Sequence, residues 1–172
     1  MTKQIYYSAP NIKRLRQENG YFIDKTEYIA KLEKISNPIF LRPRRFGKSF
    51  MCSLLEHYYD VGYKDQFHDL FGGTWIGQNP TGRQNQFVVL HLNFSTIKID
   101  ANLAKIEKNF NRRCNAKLKL AHQRYKNLFE GMPPIDDHES AENNLDELLT
   151  NIELNDLPPL FVIIDEYDNF AN

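Results

Sequence analysis

The apolar positions of this chain change their period along its length, and each change marks an element. Between residues 21 and 35, Tyr28, Ile29, Leu32 and Ile35 recur at helical spacing behind Asp24 or Thr26, which predicts a short capped helix with one apolar face. Pro38-Ile39-Phe40-Leu41 is a short apolar run, and the first sheet strand is expected over 38–42. A helical pattern follows over 47–60. A second short helix is expected within 63–73, stopped by Gly72 and Gly73, and 74–86 reads as a Gly/Asn/Pro/Thr-rich loop. Residues 87–95 predict another buried strand, 102–126 a long helix and 139–152 a further one, with Met132-Pro133-Pro134 between the two helices. Last comes Leu160-Phe161-Val162-Ile163-Ile164-Asp165-Glu166. Its apolar run has no polar alternation, which suits a strand buried on both faces of a parallel sheet. Residues 1–20 are polar and are expected to be a loosely structured lead-in to one domain over 21–172. The strand–helix alternation predicts an α/β fold, a parallel sheet flanked by helices.

Composition adds limits. A chain of 172 residues with 41% hydrophobic positions, 12 Phe and 9 Tyr can bury a core and is not a disordered segment. Cys52 and Cys114 are far apart and form no CxxC pair, so both read as reduced thiols of a cytosolic protein. Neither a secretory signal pattern nor a long apolar stretch is visible, so no membrane span is expected. The formal net charge is zero, which removes any global drive toward polyanions. That zero hides an asymmetry. Lys105, Lys108, Arg112, Arg113, Lys117, Lys119, Arg124 and Lys126 face only Glu107 in their own stretch, whereas Glu130 to Asp156 holds nine acidic residues and no Lys or Arg. Two solvated faces that attract one another, or a basic helix 105–126 that contacts nucleic acid phosphates, would each produce this pattern. Only Phe110 and Tyr125 interleave the basic stretch, so base stacking is not indicated.

The chemistry concentrates at two places. Residues 42–49 read Arg-Pro-Arg-Arg-Phe-Gly-Lys-Ser between the expected strand and helix. Gly47-Lys48-Ser49 has the ending of a phosphate-binding loop. The Gly lets the backbone approach phosphate, the Lys reaches the β- and γ-phosphates, the hydroxyl holds Mg²⁺, and the helix start supplies N–H groups and a positive dipole end. The usual pattern has a Gly where this chain has Arg42. The second place is Asp165-Glu166 at the C-terminal edge of the last strand, where open α/β sheets place ligands. In a P-loop NTPase this is the Walker B strand, whose Asp165 would hold Mg²⁺ and whose Glu166 would orient and polarise the attacking water.

These segments carry a family resemblance. Tyr21-Phe22-Ile23-Asp24-Lys25-Thr26, Leu41 to Ser49, Leu90-His91-Leu92-Asn93-Phe94-Ser95 and Ile164-Asp165-Glu166-Tyr167-Asp168 resemble the bacterial AAA-ATPase-like family, whose phosphate loop reads R-P-R-R-F-G-K-S. The resemblance spans residues 21 to 169 and includes Arg42. It implies ATP and Mg²⁺ as ligands, held by Arg44, Arg45, Phe46, Gly47, Lys48, Ser49 and Asp165, with Ser49 and Asp165 on the metal and Glu166 as catalytic base. Where this chain has Asn93, the family more often has Asp. Members are usually longer, with a sensor strand, later elements and a nuclease-like domain as partner, so this chain is expected to be the N-terminal portion. Arg42, Arg44 and Arg45 either supplement the phosphate clamp or face a partner, and Asp24-Lys25-Thr26 either wraps the nucleotide base or caps a helix. Three functions follow as expectations: an ATPase module, a nucleotide-binding switch without turnover, and a nucleic-acid-binding module using the helix 105–126.

Overall fold

The computed structural model describes residues 3–6, 11–41, 43, 46–95 and 102–167, and the chain divides into two compact units, Met1–Gln86 and Phe87–Asn172.

In the first unit, Asn11 starts helix α1 (Ile12–Gln17), its Oδ1 accepting the N–H of Arg14 at 2.8 Å. Ile12 and Leu15, three apart, form the apolar stripe and are 0% and 5% exposed. The N–H of Ile12, which has no partner within its own helix, donates to Ser53 Oγ at 3.3 Å. Arg16 Nε donates to the carbonyl of Leu70 at 3.0 Å. The expected loose lead-in is therefore corrected over residues 11–17, where two well-spaced apolar side chains suffice to anchor a helix. Helix α2 (Glu27–Leu32) is shorter than its pattern, because Ile29 alone is buried while Tyr28 and Ile35 are 43% and 57% exposed.

Helix α3 (Lys48–Tyr59) leads through a 3₁₀ stretch, Val61–Gln66, to α4 (Phe67–Phe71) and α5 (Trp75–Gln78). Tyr58 is fully buried and meets Phe71 edge-on at 5.8 Å between ring centres. Helix α5 lies inside the expected loop. Thr74 caps it by accepting the N–H of Gly77 at 3.2 Å, and a Cβ at Gly77 would overlap the carbonyl of Phe71. Among the described residues Pro38–Leu41 forms no strand, with Ile39 and Leu41 at 75% and 67% exposure. Pro38 and Pro43 bracket the run and can donate nothing to a ladder.

Asp24 and Thr26 do not cap α2 through their side chains. Thr26 stands at the N-cap position without a capping bond. Asp24 Oδ1 instead accepts the N–H and hydroxyl of Thr26 at 2.9 and 2.7 Å, and Asp24 Oδ2 accepts the N–H of Trp75 at 2.6 Å. Thr26 Oγ1, fully buried, accepts the N–H of Ile76 at 3.0 Å. The segment is a latch on the start of α5. Burial by itself would raise the Asp24 carboxyl, but the Thr26 and Trp75 hydrogen bonds and the Arg16 charge outweigh it and hold it below the usual carboxylate range.

In the second unit, β1 (Val88–Asn93) and β2 (Leu160–Asp165) pair in parallel from Val88 opposite Leu160 to Asn93 opposite Asp165. Helices α6 (Leu103–Arg124) and α7 (Ala141–Leu154) form the crossover. Together they make an α/β fold with a two-stranded parallel sheet flanked by helices. Leu92 and Phe110 pack on the buried cluster of Phe94, Cys114 and Ala141. Burial pushes the Cys114 thiol up, which suits a packing residue better than a nucleophile. The expectation that the last strand is buried on both faces is corrected: Val162 and Ile164 are 43% and 50% exposed, while Ile163 and Asp165 are 6% and 4%. In register, Val162 and Ile164 share a face with Leu90 and Leu92, and it is β1 that α6 packs against.

Two polar devices secure this unit. The Tyr125 hydroxyl accepts the N–H of Val89 at 3.0 Å and donates to its carbonyl at 3.4 Å, closing the outer edge of β1 at that residue. Asn144, 2% exposed, donates to Asn115 Oδ1 and the Asp136 carbonyl and accepts the N–H of Asp136 at 3.0 Å, which holds the loop before α7 against both helices.

Replacing Thr26 with Val keeps the shape of the side chain and leaves the N–H of Ile76 unpaired. A loss of about 1–3 kcal/mol is expected, read as a lower urea midpoint at constant slope; an unchanged midpoint would show that the latch contributes nothing. Because the folded Asp24 carboxyl titrates below its unfolded value, the stability it adds is full above about pH 4 and fades as pH falls through the folded value. Melting temperatures of wild type and Asp24→Asn should accordingly converge at acid pH and separate toward neutrality.

Candidate functional site

Helix α3 begins without a side-chain cap. Gly47 holds the N-cap position at φ 78°, in the left-handed region, and a Cβ there would meet nothing within 4 Å. The glycine is required by backbone conformation and not by crowding, since an L side chain at this φ costs about 1–2 kcal/mol. Lys48 and Ser49 are the first two residues of the helix. The N–H groups of its first turn have no carbonyl partner within the helix, and they bring the positive end of a 12-residue dipole to the same spot. Ser49 is exposed, and Phe46, just before the turn, is 68% exposed. Arg42, Arg44 and Arg45 lie outside the described residues. The turn thus presents backbone donors, an ammonium and a hydroxyl together, a donor set suited to an oxyanion.

At the end of β2, in the second unit, Asp165 is 4% exposed. Its Oδ1 accepts the N–H of Glu166 at 3.0 Å and its Oδ2 accepts Asn93 Nδ2 at 3.2 Å. Each oxygen keeps a lone pair, so the carboxylate retains capacity for a cation. Glu166, only partly buried, stands at φ 56°, a left-handed value for a residue with a Cβ. Backbone held there at a cost of about 1–3 kcal/mol is a feature that clusters at functional positions.

Asn93 is the residue whose part the sequence did not disclose. The register places it directly opposite Asp165, and its amide supplies a donor where a carboxylate at this position would add a repelling charge. The available signal was its place as the last residue of a strand parallel to the one ending in Asp165. Asp24-Lys25-Thr26 is also clarified. Asp24 and Thr26 are engaged in the latch on α5, and Asp24 borders a cavity of about 260 Å³ shared with Arg16 and Phe22.

Comparison with curated proteins and with solved structures returned no match. The family model described as "Predicted AAA-ATPase" matches residues 7–172, which contain both the turn at Gly47 and the strand end at Asp165. This match supports a nucleotide-binding or ATPase role in coarse terms, and by its extent the chain belongs to the AAA-ATPase-like family.

Proposed function

We propose that this chain is an ATP-binding module of the P-loop NTPase type, and that Mg²⁺-dependent ATP hydrolysis is the activity it serves. The observation that carries the reading is the uncapped start of α3 behind a left-handed Gly47, with Lys48 and Ser49 as the next two residues. The N–H groups of the turn and the Lys48 ammonium would hold the β- and γ-phosphates. Ser49 and Asp165 would be the protein's ligands to Mg²⁺, which when bound supplies charge neutralisation between the phosphates. Arg44 and Arg45 remain the candidates for added phosphate contacts, and guanidinium geometry suits that task. Glu166 would orient the attacking water and take its proton, with the strained backbone at that residue fixing where the carboxylate points. A nuclease-like domain stays the partner implied by the family resemblance.

Two measurements test this reading. Lys48→Ala should weaken binding of a fluorescent ATP analogue by about 10- to 100-fold, the worth of one charge-assisted contact; equal affinities would defeat the phosphate-loop assignment. Glu166→Gln should keep ATP affinity while turnover falls by about 10²- to 10⁴-fold. Hydrolysis at the wild-type rate in that variant would remove Glu166 as the base. ATP binding by the wild type with no turnover would favour a nucleotide-binding switch.

A further inference from the structure

Helix α6 holds Lys105, Lys108, Arg112, Arg113, Lys117, Lys119 and Arg124 against a single acidic residue, Glu107, and all seven cations are exposed. The simplest account of so many cations is that the acidic stretch following the helix neutralises them. The structure pairs Lys119 with Asp137 of that stretch. Lys108, Arg112, Arg113 and Lys117 have no ion-pair partner among the described residues. Packing of α6 against α7 instead uses neutral groups, with Asn144 Nδ2 donating to Asn115 Oδ1 at 3.1 Å and the N–H of Ala141 to Asn111 Oδ1 at 3.0 Å.

Helix stability does not explain the cations either. The first turn has no acidic residue and contains Lys105, so positive charge sits at the positive end of the dipole. Lys108 with Arg112 and Arg113 with Lys117 are like-charged pairs four apart, each of which opposes helix formation by about 0.2–0.5 kcal/mol. The folded chain keeps these charges against its own local preferences, which is the pattern of a surface shaped by a partner.

We propose that the exposed side of α6 docks on the phosphate backbone of duplex nucleic acid, independently of base sequence and of the nucleotide reading above. At 100° per residue, Lys108 and Arg112 form one row and Arg113 and Lys117 another, about 140° away around the axis. The strip between the rows carries Lys105 in the first turn and then Asn109, Ala116, Leu120 and Gln123, so beyond the first turn it is uncharged. A helix of 22 residues is about 33 Å long, close to one turn of a duplex, and its diameter matches the major groove. A helix laid along the groove would direct one row to each phosphate strand. No aromatic side chain is on the strip: Phe110 packs on Phe94 with ring centres 5.6 Å apart, and the buried Tyr125 is bonded to Val89. The contacts available are therefore to phosphate, which position a protein without reading bases.

The test is a salt titration of the full chain binding a fluorescent 25-base-pair DNA of arbitrary sequence. With four unpaired cations engaged, log K should fall against log salt with a slope of about −3 to −4, a loss near 100-fold between 50 and 200 mM. Each of Lys108→Ala, Arg112→Ala, Arg113→Ala and Lys117→Ala should lower the slope by about 1, and the combined variant should abolish most of it. Alanine preserves helix propensity, and far-UV circular dichroism reports whether the fold is kept; the four single variants decide the question should the combined one unfold. Arg112→Lys with Arg113→Lys should retain the wild-type slope, as point charges on phosphate would. The proposal is overturned by no binding at 50 mM salt, by a slope that the alanine variants leave unchanged, or by equal or tighter binding to phosphatidylserine vesicles or polyglutamate.

Discussion

Parallel strands cannot be joined by a tight turn, and most of the second unit follows from that constraint. The chain leaves β1 at Asn93 and must re-enter the sheet at its opposite end, at Leu160 beside Val88, so a long crossover is obligatory, and α6 and α7 are that crossover. The same parallel register fixes which residues meet at the C-terminal edge. Asn93 faces Asp165 because Val88 faces Leu160 five residues earlier, and a slip by one residue would turn Asp165 to the opposite face. The amide that orients the carboxylate is thus a product of strand pairing. Tyr125, at the end of α6, ties the crossover back to β1 by occupying the backbone groups of Val89.

In the first unit the corresponding constraint is the unpaired start of a helix. Helix α1 meets it by lending an N–H to Ser53, and α5 by taking acceptors from Asp24, Thr26 and Thr74. Helix α3 alone among the longer elements begins on a glycine with no side-chain acceptor. The contrast is chemical. Where α1 and α5 are sealed by side chains of the protein, the first turn of α3, like those of the shorter α2 and α4, has no side-chain cap, and Lys48 and Ser49 add a charge and a hydroxyl to its donors.

The elements legible in the sequence were those whose local pattern and tertiary environment agree. Helices α3, α6 and α7 have long apolar faces with caps such as Asn102 and Ser140, and β1 opens on the apolar run Val88-Val89-Leu90. The misreadings arose where a pattern of one kind met an environment of another. Pro38–Leu41 is apolar enough for a strand, yet prolines flank it and no described strand pairs with it. The alternation of burial along β2 was hidden because both faces are apolar in sequence, while α6 rests on β1. Helix α5 has only four residues, and besides its local cap Thr74 two of its N–H groups find acceptors on Asp24 and Thr26, about fifty positions away. Of the candidate site, Gly47, Lys48, Ser49, Asp165 and Glu166 could be named from motif and resemblance. The part of Asn93 and the left-handed backbone of Glu166 depend on register and dihedral angle, which no residue pattern encodes.

That dihedral angle has a consequence for how this protein would respond to engineering. A left-handed position is relieved by Gly or Asn, so a library selected for heat resistance alone would favour replacing Glu166. The change that most relaxes the main chain at the end of β2 is therefore the one that deletes its acidic group, and a thermostable descendant of this chain would keep its fold while losing the carboxylate first.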